Sequence, residues 1–198
     1  MFAGHFGLAA ALKARTPEVP IWALILSTQL LDVVFVPLFL SSIETIDTSL
    51  GTGYGEGIIH ADYTHSLVGA LLIAILSGLL AWKLWGKRGG AAIGVLTFSH
   101  WILDLLVHRA DMPFLPGNVG GLPLVGFSLW QWPWVSAAIE IILVIVGAIL
   151  YFRTLRNTAK LSKYKTPDDN FIWRAHLAGG VMAVLLIASF ISDFVLHL

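Results

Sequence analysis

His100 and Asp104 stand four residues apart in the stretch Ile93–Leu106, which is otherwise almost entirely apolar. On a helix that spacing puts both side chains on one face, about 6 Å apart along the axis, and His108 continues the same stripe. An imidazole and a carboxylate one turn apart can clasp a divalent ion, as zincin helices do with two histidines. Asp32 inside Ile21–Leu40, His65 at the start of Tyr63–Trp85 and His5 within Phe2–Leu12 offer further groups of the same kind. An Asp at the centre of an apolar helix costs about 2.5–3.5 kcal/mol, so such residues need a compensating partner or a wet cavity. Together His5, Asp32, His65, His100 and Asp104 make three imidazoles and two carboxylates, enough for a mono- or dinuclear metal centre with open positions. Mixed nitrogen and oxygen ligation suits zinc, with manganese or iron as alternatives, better than calcium or magnesium. A water bound at an open position of such a centre would be acidified toward hydroxide. His108, Asp111 and Glu140 are placed behind the ligands; Glu140 has Ser136, not a histidine, four residues before it.

The same residues admit two other readings. A hydrogen-bonded ion-pair network would fix helix register without chemistry. A proton- or metal-ion-coupled transporter would use the His/Asp cluster as a relay, and would need a polar route continuing to the cytoplasmic face. Only His176, beside Arg174, is available there. Asp193 and His197 repeat the four-residue spacing near the C-terminal end, where helices fray.

The elements that must position these groups follow from composition. Of 198 residues 57% are hydrophobic and 12% charged, with a mean hydropathy of +0.82. Soluble domains carry roughly 25% charged residues, so a cytosolic enzyme and a disordered chain are both excluded. A formal net charge of zero gives no field for nucleic acid. With no cysteine, disulfides, thiol nucleophiles and Cys-based zinc sites are excluded. The chain is expected to form one integral membrane domain, residues 1–198, with the candidate metal residues in roughly the first 111.

About 20 apolar residues cross a hydrocarbon core. Five stretches meet that length: Ile21–Leu40, Tyr63–Trp85, Ala91–Val107, Trp132–Phe152 and Ile172–Val195. Gly86–Gly90 reads as a tight polar break. Phe2–Leu12 is too short to span and is expected as a half-length or re-entrant helix paired with Ile21–Leu40, before Pro17 and Pro20 force a turn. The predicted fold is thus all-α: a polytopic bundle of five full spans plus this short N-terminal helix. Placing the Lys13/Arg15 turn, the Lys83–Arg88 turn and the Arg153–Arg174 segment in the cytoplasm puts eleven of the twelve Lys and Arg residues on one side, leaving Arg109 outside. Counted from that boundary, His5, His100, Asp32 and Asp104 lie about 12, 15, 18 and 21 Å deep. Ser41–Asp62, Gly-rich around Gly51–Gly57, is expected to be a mobile outward loop. Pro113–Pro133, with Trp130, Trp132 and Trp134, reads as an interfacial aromatic belt, and Asn157–Asp169 as a solvated basic loop.

Gly4-His5-Phe6-Gly7, His60-Ala61-Asp62-Tyr63-Thr64-His65-Ser66 and Ser99-His100-Trp101-Ile102-Leu103-Asp104 resemble the bacterial inner-membrane family of predicted metal-dependent hydrolases, distantly related to zinc-dependent phospholipases C and zinc single-strand nucleases. The resemblance covers the chain through about Asp111. It implies that His65, His100 and Asp104 hold one metal, that His5 matches the early histidine of a neighbouring metal, and that Asp32 bridges metals or acts as base. The chemistry implied is hydrolysis, with Asp32 orienting or deprotonating a metal-bound water and the second metal or His60 stabilising charge on the attacked oxygen. Ala61 stands where the family often has Arg, and no H-x-x-x-E pair follows His100, so a trinuclear cluster is not expected. A phospholipid or lipid-linked phosphoester at the outer leaflet, reached from the periplasmic or external face of the inner membrane, is the substrate class this implies.

Overall fold

The computed structural model describes residues 2–13, 15–49, 56–165, 173, 177, 179–188 and 191. Its elements are α1 (Phe2–Lys13), α2 (Ile21–Thr28), α3 (Leu30–Leu40), β1 (Thr45–Asp47), β2 (Ile58–His60), α4 (Leu67–Val107), α5 (Pro133–Lys165) and α6 (Gly179–Ala188), with single 3-10 turns at Pro116–Asn118 and Leu129–Gln131.

The 41-residue α4 is folded on itself. Trp85 and Gly86 leave helical geometry, and Gly86 takes φ 72°, a conformation open to a residue without Cβ. Beyond that point the chain runs back along its own first arm. Ser77 Oγ lies 3.2 Å from Thr97 Oγ1, and a Cβ built on Gly78 would sit 3.1 Å from the Gly90 carbonyl oxygen and 3.4 Å from Gly94 Cα. Small residues facing one another let the backbones of the two arms touch. Both ends of α4 therefore lie together, and this brings His65 beside His100.

The start of α4 leaves no first-turn donor unpaired. Leu67 and Val68 donate to the carbonyls of Pro113 and Phe114, from the loop that follows α4, and Ala70 to the Ser66 carbonyl. Gly69 donates to the Ser66 hydroxyl at 3.0 Å, the side-chain cap of the helix.

Among the described residues two helices are long and apolar enough to cross a membrane, α4 and the Pro133–Asn157 part of α5, and a third is reached if α2 and α3, bent by 53°, count as one broken span. The expected five full spans are not formed. Tyr63–Trp85 and Ala91–Val107 belong to one folded element, because Lys87–Gly90 are helical and only Trp85–Gly86 interrupt. Ile21–Leu40 breaks at Gln29. Of Ile172–Val195 the described part is the short helix α6 with Trp173, Leu177 and Ile191; Arg174, His176, Asp193 and His197 lie outside the described residues. Nor is the chain wholly α-helical: β1 and β2 pair antiparallel, Thr45 with His60 and Asp47 with Ile58, inside the stretch expected to be a mobile loop. Helix α5 continues to Lys165, through the first part of the expected basic loop, on good helix formers such as Arg156 and Leu161.

Helix α1 is half a span long, as expected, but its main partner is α5 rather than Ile21–Leu40. Its Gly4 N–H donates to Glu140 Oε1 at 3.1 Å, and a Cβ on Gly7 would meet the Leu143 carbonyl at 2.5 Å. One core cluster joins Ala3 and Ala10 to Val144, Tyr151, Met182 and Leu186 of α5 and α6. A second joins Ala9 to Val19, Leu24, Ala81, Ile93 and Leu96. Outward-facing Leu72, Ile75, Leu76, Val95, Ile142 and Ile145 are exposed, an apolar girdle of the kind a bilayer covers.

Candidate metal centre

Five residues from three elements or their flanks converge: His5 of α1, Asp32 of α3, and, around α4, His65 just before the Ser66 cap with His100 and Asp104 of the returning arm. They line one cavity of about 160 Å³ together with His108, Phe35, Ile46, Ile59 and Trp130. His5, His65, His100 and Asp104 are buried, whereas the Asp32 side chain is 42% exposed into the opening.

The ligand atoms form two triads that share His100, Asp32 with His65 and His100, and His5 with His100 and Asp104, the atoms of each lying within 4.8 Å of one another. His100 Nε2 lies 2.9 Å from Asp104 Oδ2 and 3.5 Å from Asp32 Oδ1. His65 Nε2 lies 3.4 Å from His100 Nε2, 3.5 Å from Asp32 Oδ1 and 3.6 Å from Asp104 Oδ2. A tetrahedral ion with ligands at 2.0–2.1 Å has ligand–ligand edges of roughly 3.3–3.4 Å. The chemistry of the donor set fits as well. His100 Nδ1 stands 2.6 Å from the Thr28 carbonyl, which can only accept, so this nitrogen carries the hydrogen and Nε2 of the neutral ring carries a lone pair. Two carboxylate oxygens and imidazole nitrogens at these separations repel unless a cation, or protons on the rings, stands among them. The buried His/Asp group can hold a metal ion.

The break between α2 and α3 serves this geometry. Gln29, at φ −112° and ψ 8°, interrupts the helical ladder, and the Thr28 carbonyl is turned to His100. Orienting the far nitrogen of a ligand histidine through a carbonyl is a common way of fixing ring and tautomer. His65 has its own support: its carbonyl accepts from Trp101 Nε1 at 2.8 Å, and its Nδ1 lies 2.8 Å from Thr64 Oγ1. Thr64 in turn meets both oxygens of the fully buried Glu44 at 3.0 Å.

His5 completes the second triad, with His100 and Asp104. Its Nε2 faces the other oxygen of Asp104, Oδ1, at 3.4 Å, and its ring stacks flat on His100 with centroids 4.1 Å apart. His5 Nδ1 is buried and has no hydrogen-bond partner among the described residues.

The remaining expected residues divide. His108 lines the cavity, is held by Asp111 Oδ1 at 3.1 Å, and lies against Trp130 at 4.4 Å between centroids. Asp111 also accepts from the Ile59 N–H at 3.3 Å, tying β2 to this wall. Glu140 is fully buried but acts on α1, through Gly4 next to His5. His60 is not brought to the cluster: it is exposed on β2, opposite Thr45, and is not among the cavity-lining residues. Trp130 is part of the cavity wall, while Trp132 and Trp134 are 58% and 74% exposed. Sequence reasoning passed over Glu44, Thr64, the Thr28 carbonyl and Phe35. Of these only Thr64, adjacent to His65, carried a local signal. No family model, curated protein or solved structure matches the chain.

Proposed function

We propose that this protein is a membrane-embedded, metal-dependent hydrolase. The observation that carries the reading is the convergence of His5, Asp32, His65, His100 and Asp104 on one cavity, as two triads of ligand atoms that share His100. A divalent ion held there, zinc by ligand type, supplies a water acidic enough to be hydroxide near neutral pH. Asp32, the exposed carboxylate of the set, is placed to orient an incoming water and take its proton. His108, oriented by Asp111 on the cavity wall, is the imidazole placed to hold a proton beside a departing oxygen, the position His60 does not occupy.

Phe35, Ile46, Ile59 and Trp130 give the cavity an apolar lining suited to a lipid or lipid-linked substrate. The resemblance to the inner-membrane hydrolases, carried by the segments around His5, His65 and His100, points to a phosphoester at the outer leaflet of a bacterial inner membrane. Among the described residues the transporter reading has no polar route at this end: Val19, Ala23, Leu24, Ala81, Ile93 and Leu96 form a buried apolar layer around the turn between α1 and α2.

The test is metal content in detergent-purified wild type, His65→Ala and Asp104→Ala, each checked for folding. Near-stoichiometric metal in the wild type, lost in both folded variants, is the expected result. Equal and negligible metal in all three would leave a proton-held network and end the hydrolase reading. Release of headgroup phosphate from mixed phospholipid vesicles, abolished in folded Asp32→Asn, checks the reaction.

A further inference from the structure

Behind His65 lies a chain of three side chains with a direction. Glu44 Oε1 accepts the backbone N–H groups of Tyr63 at 2.9 Å and Thr64 at 2.8 Å. The Thr64 hydroxyl lies 3.0 Å from each Glu44 oxygen and 2.8 Å from His65 Nδ1. A hydroxyl has one hydrogen. An ionised carboxylate can only accept, so two oxygens this close to Thr64 Oγ1 require that hydrogen. Thr64 must then accept from its other neighbour, and His65 Nδ1 must be the donor.

We infer that Glu44, acting through the Thr64 hydroxyl, holds His65 in the tautomer that presents a bare Nε2 to the candidate metal centre. Glu44 and Thr64 are thereby positioning residues for cation binding, and the inference rests on the metal reading above. His65 and His100 are set in the same tautomer by unrelated means: the Thr28 carbonyl fixes His100 and this relay fixes His65. Glu44 also has a plain structural role, because its two backbone bonds pin the turn that leads into α4. The two roles separate at Thr64. Thr64→Val removes the hydroxyl and leaves both backbone bonds to Glu44 in place.

The experiment is titration of purified protein with Co(II), followed by its ligand-field absorption, for wild type, Thr64→Val, Thr64→Ser and Glu44→Gln. Alongside it, ¹⁵N spectra of the imidazoles in ion-free protein read the His65 tautomer. Outer partners of ligand histidines are worth about 10–100-fold in affinity, so Thr64→Val is expected to weaken Co(II) binding at least tenfold and to lose the Nδ1–H signature. Thr64→Ser, which restores the hydroxyl, is expected within about threefold of wild type. Glu44→Gln is expected to weaken binding in the same direction, because its amide N–H competes for the hydroxyl oxygen and frees the Thr64 hydrogen to turn to His65. Thr64→Val that binds Co(II) like wild type, with His65 unchanged, overturns the inference even if Glu44→Gln does not fold. If the wild type takes up no cation, the metal reading falls. The tautomer in the ion-free protein still decides this inference by itself: Nδ1–H present in wild type and lost in Thr64→Val upholds it, and no difference overturns it.

Discussion

Asp104 offers its two oxygens to different neighbours, Oδ2 to His100 and His65 and Oδ1 to His5. That division makes His5 a buttress of the Asp32–His65–His100 triad as well as a member of its own triad with His100 and Asp104. His5→Ala is therefore expected to weaken cation binding while keeping one ion per folded chain, whereas His100→Ala removes the ion altogether. Metal analysis at saturating zinc checks this. Two ions in the wild type and one in His5→Ala would make His5 a ligand of a second ion instead. The five ligand-type residues were legible in the sequence because ionisable groups are costly in apolar helices and stand out there. Their supports were not. Glu44 lies in a loop rich in polar residues, where an acid carries no signal, and the contribution of Thr28 is a backbone carbonyl that every residue type possesses.

At the scale of elements, the ligands reach one another because two helices are interrupted. The reversal at Gly86 sets the arms of α4 side by side, and the break at Gln29 turns a carbonyl to His100. The first interruption was half legible: the Gly-Lys-Arg-Gly-Gly run reads as a tight polar break, but a single positive φ at Gly86 suffices, and Lys87–Gly90 continue as helix. The second had no local mark, since neither proline nor glycine stands at 29, while Pro37, which does look like a breaker, lies inside α3. Tertiary contacts decide the break at Gln29. They also decide the seating of α1, whose Gly4 N–H is taken by Glu140 from α5. Glu140→Ala leaves that buried donor without its carboxylate and should cost about 1–3 kcal/mol. Glu140→Gln, which keeps an acceptor oxygen, should cost less. Thermal unfolding in detergent checks the order. The ion affinity of folded Glu140→Ala should fall less than that of Thr64→Val, because α1 carries only the buttressing histidine. An affinity loss as large as that of His65→Ala would show that α1 bears a primary ligand.

The whole molecule is polarised along the direction of its helices. At one end the α1–α2 turn meets the reversal of α4: Lys13 Nζ donates to the Pro17 and Val19 carbonyls, a Cβ on Gly89 would abut Val19, and the rings of Trp22 and Trp85 lie 6.2 Å apart. Lys13, Arg15, Lys83, Lys87 and Arg88 belong to this end. The cavity with its His/Asp floor lies at the other, where α4 both begins and ends and the Pro116–Asn118 and Leu129–Gln131 turns gather. Basic residues remain on the cytoplasmic side of a membrane during insertion, so the cavity end is expected outside. The absence of native cysteine makes the expectation clean to test, since any thiol label reports only the introduced site. Val119→Cys, at a position 68% exposed near the cavity end, should react in intact cells with a maleimide that cannot cross membranes. Lys83→Cys, exposed at the basic end, should react only after the cells are opened. Labelling in the reverse order would turn the molecule over and bring any substrate from the cytoplasmic leaflet. Equal labelling of both positions in intact cells would mean that α4 does not cross the bilayer, and the charge asymmetry would then have to be explained by a surface rather than by two sides of a membrane.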